Sequence, residues 1–213
     1  MSSNFHFTAT IFCLLTFVDA AHGAFPPQEQ PAGLDDCRPA IVRQLMEKAN
    51  TGDTGTQIIV SWMYWAGKCV AKDDRESFRW LKTAADAGNA EAQFHLGQAY
   101  ARTPDVKDAK LAARYYLMAA KNNHPLAQHH IGLTLVRSNK GPRSTEEGLK
   151  WLSAAAHRGH VLSMLVLGYL FEKGEFRVAT DLCKSKKWYE AAQKLGDQDA
   201  ANHLHRVQKL ARC

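Results

Sequence analysis

Long hydrophobic runs are missing from this chain of 213 residues. None reaches the roughly 18 residues that a membrane-spanning helix needs, which excludes a multi-spanning membrane protein. Glycine (14) and proline (7) are too sparse for a collagen-like chain. At 46% hydrophobic and 23% charged, the composition is also too close to globular averages for a disordered or fibrous one. Compact signatures of catalysis are absent as well: there is no G-x-S-x-G, P-loop or H-E-x-x-H. No enzymatic activity is therefore expected. Lys and Arg outnumber Asp and Glu by 27 to 21, giving a net charge of +6. A basic surface suits acidic partners, anionic envelope polymers or nucleic acid, and does not choose between them.

The first 23 residues read as an export signal. Ile11–Val18 is an unbroken apolar stretch followed by small residues, the pattern of an h-region ahead of a cleavage site. Val18-Asp19-Ala20 and Ala21-His22-Gly23 both offer a cut site. The n-region lacks Lys and Arg, but Phe25-Pro26-Pro27 and Pro31 would end a buried N-terminal helix at once. Residues 24–36 form a Pro-rich linker. Removing residues 1–23 deletes Asp19 and no cation, so the charge rises from +6 to +7. Cys13 leaves with the signal. Cys37, Cys69, Cys183 and Cys213 remain, and four cysteines in an oxidising compartment suggest two disulfides. An exported chain rarely meets nucleic acid, so that partner class is set aside.

Residues 37–213 repeat. Trp80, Tyr115, Trp151 and Trp188 mark one column, spaced by 35, 36 and 37 residues. Eight residues after each stands a turn position: Gly88, Asn123, Gly159 and Gly196. Ala92, Ala127, Ser163 and Ala200 follow four residues past the turns, and Leu96, Ile131, Leu167 and Leu204 eight past. An earlier copy starts at Gly52. Offsets of four and eight share one helical face, so these residues form a packing stripe. Glycine at the turn supplies a left-handed C-cap between two helices. A pair of helices buries little alone, so copies must stack. The periodicity predicts helices over 38–50, 54–66, 74–86, 89–102, 107–121, 124–137, 145–157, 160–173, 184–194 and 198–211.

Two segments carry a family resemblance. Ala92-Gln93-Phe94-His95-Leu96-Gly97-Gln98-Ala99-Tyr100 and Lys187-Trp188-Tyr189-Glu190-Ala191-Ala192 resemble the two halves of the Sel-one-like repeat, a relative of the tetratricopeptide repeat. The resemblance implies an all-α, right-handed α-solenoid of about four helix-turn-helix repeats plus capping helices. It further implies that first helices line a concave groove. On this chain that groove holds Ile58, Trp62, Trp65, Phe94, Gln98, Arg102, His129, Leu133, Arg137, Leu165, Tyr169 and Lys173. Apolar and aromatic residues would form its floor and cations one edge, which suits a protein or peptide partner. The column aromatics Trp80, Trp151 and Trp188 are expected in the core.

The repeat register also assigns the sulfur pairing. Cys69 and Cys213 each lie 17 residues past a turn glycine, at the end of a first-type helix. Cys37 and Cys183 each start a second-type helix. Antiparallel neighbours bring such ends together, so Cys37–Cys69 and Cys183–Cys213 are expected, one clip at each end of the array.

Histidine carries no metal signal. His129 and His130 are adjacent and point apart on a helix, and His95 and His130 stand a repeat apart. No metal centre and no cofactor is expected. The combined reading is a non-enzymatic, periplasmic interaction scaffold or adaptor of the cell envelope, such as a regulator of an envelope sensor. Two alternatives stay open: a structural component of an envelope machine such as the ring around a sodium-driven polar flagellar motor, and a protein that binds or modifies peptidoglycan, glycan or another acidic envelope polymer.

Overall fold

The computed structural model describes residues 37–213; the signal and linker assigned to residues 1–36 lie outside them. Among the described residues there are ten α-helices and no strand: α1 (Pro39–Asn50), α2 (Thr54–Ala66), α3 (Asp74–Asp86), α4 (Ala90–Arg102), α5 (Ala109–Lys121), α6 (Pro125–Ser138), α7 (Pro142–His157), α8 (Val161–Lys173), α9 (Leu182–Lys194) and α10 (Gln198–Gln208). A short 3₁₀ turn, Pro104–Val106, occupies the glycine-free loop after α4. None of these helices is long and apolar enough to cross a membrane. The helix assignments agree with the periodicity to within a few residues. The largest differences are the early start of α7, where Pro142 takes the first helical turn, and the early end of α10.

Two compact units divide the chain, the first ending at Tyr115 and the second beginning at Tyr116, within α5. In the first, α1 packs on α2, α2 on α3 and α3 on α4. In the second, α6 packs on α7, α7 on α8, α8 on α9 and α9 on α10.

One junction recurs along the chain. The second residue past each second-type helix is left-handed: φ is 95° at Gly52, 91° at Gly88, 67° at Asn123, 85° at Gly159 and 89° at Gly196. Glycine has no Cβ to clash there, and asparagine is among the few other residues that tolerate it. The next residue is always an acceptor that caps the following helix. Asp53, Asn89, His124, His160 and Asp197 take the backbone N–H three residues on, from Thr56, Ala92, Ala127, Ser163 and Ala200. Five residues past the turn, Gln57, Gln93 and Gln128 donate to the carbonyls of Ala49, Ala85 and Ala120 at 3.0–3.1 Å. These side chains satisfy carbonyls that the ending helix leaves without an intrahelical partner.

The deepest column is one residue beyond the aromatic marker. Leu81, Leu152 and Tyr189 are fully buried and Tyr116 nearly so. Trp80 and Tyr115 are buried, but Trp151 and Trp188 are only half-buried, contrary to their expected place in the core. Helical residues advance about 100° per step, so the marker residue of each pair lies on the flank of the stripe.

Helices α6 and α7 touch at glycines. A Cβ on Gly132 would stand 2.7 Å from Leu152 Cγ, 2.9 Å from the Gly148 carbonyl and 2.9 Å from the Leu152 nitrogen. Two of these are backbone atoms that no rotamer change can move. Gly132→Ala is expected to lower stability by roughly 2–3 kcal/mol through overpacking, read as a lower midpoint in urea. An unchanged midpoint would show that the helices separate freely.

Candidate functional site

The disulfides frame the described chain. Cys37 is bonded to Cys69 with Cα atoms 4.9 Å apart, and Cys183 to Cys213 with Cα atoms 6.0 Å apart. The first holds the start of α1 against the end of the α2 segment. The second holds the start of α9 against the residues after α10, where Lys186 Nζ also donates to the Cys213 carbonyl at 3.1 Å.

The residues expected in a groove separate by burial. Trp62, Phe94, Gln98, His129, Leu133 and Leu165 are all buried, with at most 8% of their surface exposed. Their side chains pack inside the repeats. Trp62 belongs to the cluster of Ala49, Val60, Met63 and Trp80. Gln98 is hydrogen-bonded to the buried His95 at 3.1 Å. His129 Nδ1 meets Ser163 Oγ at 2.8 Å and its ring packs 4.7 Å from that of His160. The floor of a first-helix face in these units is already filled by its own packing. Ile58, Trp65, Arg102 and Tyr169 are half-buried, and Arg137 and Lys173 are exposed. Tyr169 donates to Glu175 at 2.8 Å, and burial together with this bond pushes its phenol up to about 12. Lys173 is paired with Glu172 at 3.0 Å.

Each unit also holds an open concavity. In the first unit a cleft of about 570 Å³ lies at α3 and the end of α4, with Trp65, Phe78 and Val106 as apolar wall. Its charges are mixed: Lys72, Arg75, Asp74 and Asp105, with Lys72 paired to Asp74 at 3.6 Å. In the second unit a cleft of about 830 Å³ runs between α7 and α9 over α8. Trp188, Phe171, Met164 and Leu195 give it an apolar wall; Lys184, Lys187 and Lys194 give it cations, and no carboxylate lines it. Leu195 is 55% exposed, and the His157 ring packs on Trp188 at 5.3 Å between centroids.

Four consecutive Sel1 repeats are recognised, at residues 56–89, 90–124, 125–160 and 161–197. The chain belongs to the Sel1 repeat family. Its repeats coincide with the helix pairs above, so the all-α fold of stacked helix-turn-helix units is that of the family. A Sel1 repeat protein from Oxalobacter formigenes is similar in structure, with a TM-score of 0.66 and 26% identity over 78% of this chain and 66% of that one. A protective antigen of uropathogenic Escherichia coli displaying an SLR fold is similar in fold, with a TM-score of 0.63 at 23% identity over 78% of this chain and 36% of that one. Among curated proteins, a chitin synthase regulator of Malassezia restricta is 29% identical over 137 residues, which cover 62% of this chain and 9% of that protein. An exopolysaccharide production negative regulator of Rhizobium leguminosarum bv. viciae is 29% identical over 170 residues, covering 68% of this chain and 64% of that protein. In each case the chain spans less than two thirds of the relative's own length.

Among the described residues no group of three or more His, Cys, Asp or Glu is placed to hold a metal ion. The strongest polar network is structural. Glu172 accepts from Arg206 at 2.7 and 3.0 Å and from the Tyr189 hydroxyl at 3.1 Å. Burial pushes the Glu172 carboxyl up, but the hydrogen bonds and charges of Arg206 and Lys173 outweigh it and hold the group below its ordinary value. What sequence reasoning missed are the two clefts. The signal of the second was present in the break of the glutamine column at Met164 and in the lysines of α9.

Proposed function

We propose that this protein is a non-catalytic scaffold of the cell envelope, exported to the periplasm, that regulates envelope polysaccharide production by holding protein partners. The observation that carries this reading is the pair of clefts walled by half-buried tryptophans, Trp65 and Trp188, on a Sel1 repeat array. Aromatic residues at a cleft wall are the usual anchors for a partner chain. Two relatives support the direction of the reading: one is named a regulator of chitin synthase and another a negative regulator of exopolysaccharide production. Two disulfides suit an oxidising compartment.

The test is cross-linking in the native compartment followed by mass spectrometry, with envelope polysaccharide measured in a deletion strain. The expected result is a specific protein cross-linked to the wild-type chain and a changed amount of polysaccharide. Fractionation that leaves the chain in the cytoplasm would overturn the location. Retention by purified peptidoglycan, with no protein cross-linked, would replace a protein partner with a wall polymer.

A further inference from the structure

We infer that the cleft between α7 and α9 binds an acidic peptide segment carrying a bulky apolar side chain; this deepens the scaffold reading and rests on it. The cleft arises where the repeat departs from its own pattern. Three copies place a buried glutamine five residues past the turn, where it donates to the carbonyl ending the previous helix. The fourth copy places Met164 there. Methionine has no donor, so Ala156 keeps only backbone donors, and both residues line the cleft. A polar plug has become a flexible, polarisable apolar wall. With Trp188 and Phe171 it presents a surface that an aromatic or branched aliphatic side chain can cover.

The charge around this wall is of one sign. Helix α9 carries Lys184, Lys186, Lys187 and Lys194 against a single carboxylate, Glu190. It has no acidic residue in its first turn, and three of those lysines fall in its first six residues. Cations at the positive end of a helix are unfavourable for the helix itself; Lys184 is offset by Asp181 and Lys186 by the Cys213 carbonyl, whereas Lys187 has no such local partner among the described residues. Lys184 is partly neutralised by Asp181 at 3.1 Å and lies 5.3 Å from the centre of the Phe171 ring. Lys187 and Lys194 are exposed and make no ion pair among the described residues. A ligand with carboxylates on either side of an apolar anchor would complement this arrangement. An acidic polysaccharide would satisfy the lysines and leave the Met164–Phe171 wall uncovered, which is why a peptide is preferred.

The experiment uses the full chain and a fluorescein-labelled peptide with a central Phe-Leu flanked by aspartates. Controls are the same peptide with Ser-Ser at the centre, a lysine-flanked version, and an oligogalacturonate. The Asp-flanked Phe-Leu peptide is expected to bind at least about tenfold more tightly than each control, and less tightly as salt rises. Lys187→Glu with Lys194→Glu is expected to weaken it at least about tenfold. Met164→Gln, which restores the glutamine of the other copies, is expected to weaken it about fivefold while keeping the fold, as read by circular dichroism. Equal binding of the Ser-Ser peptide, or no effect of the lysine changes, would overturn the proposal. Lysine-dependent binding of the oligogalacturonate in preference to the peptide would overturn it in favour of an acidic polymer. If a native partner is cross-linked equally to wild type and to the lysine variant, the scaffold reading survives and this cleft does not. If wild type cross-links no partner, the scaffold reading itself fails.

Discussion

Arg206→Ala is expected to destabilise the protein by about 2–3 kcal/mol at neutral pH. The side chain of Glu172 is only 5% exposed, and Arg206 meets it through two nitrogens. Truncating Arg206 leaves a buried carboxylate with Lys173 and the Tyr189 hydroxyl alone. Breaking a fully buried pair this way costs about 3–5 kcal/mol. Arg206 is itself 37% exposed, and solvent screening reduces the figure. The same network sets an acid response. Glu172 titrates below its ordinary value near 4.5 in the folded state, so its contribution is present above that value and is lost as pH falls through the lower folded one. His203, stacked on Tyr189, is pushed down by burial and then by Arg206. The unfolded chain therefore takes up a proton near pH 6.5 before the folded one does, and stability declines from there downward. Urea melts at pH 7 and pH 4 check both points. The Arg206→Ala penalty should shrink at the lower pH, and a pH-independent penalty would show that the pair acts only through packing.

Loss of either disulfide is expected to cost about 3–4 kcal/mol in the chain-entropy account, and to do so locally. The bridges span 32 and 30 residues and each lies within a terminal part of the array. Contacts in a repeat protein run between neighbours, so a freed end can open without the middle. Cys213→Ser should raise hydrogen exchange in α10 first, and Cys37→Ser in α1, while α6 and α7 stay protected. The N-terminal effect should be pronounced, because α1 contributes half-buried Val42, Leu45 and Met46 to the cluster around Trp62. Exchange rising together in all ten helices would contradict this picture. In a reducing compartment both clips would open, and the ends would lose this contribution.

These two sites also show what a one-dimensional pattern conveys. The turn column and the cysteine register were legible because both depend on counting residues along a helix. Depth was not. Trp188 marks its column by size, whereas Tyr189 beside it is the buried residue and packs on Gly168. A repeated large residue shows that a position matters, but not which side of the helix meets its neighbours. The burial of half the expected groove residues has a related reason. Trp62, Phe94 and Leu165 stand where the resemblance puts a concave face, yet their side chains are consumed by packing within each unit. The cleft between α7 and α9 required the positions of three helices at once. Only its chemistry, Met164 in a glutamine column and lysines at the wrong end of α9, was visible beforehand.

The left-handed junctions with their caps have a consequence for descent. Each caps the backbone N–H of its following helix within a handful of residues. A gene duplication or deletion covering one whole helix pair therefore leaves the capped backbone N–H groups at each new boundary with their local partners. Lineages can lengthen or shorten such an array in steps of about three dozen residues, whereas a single methyl added at Gly132 is resisted by the backbone of α7.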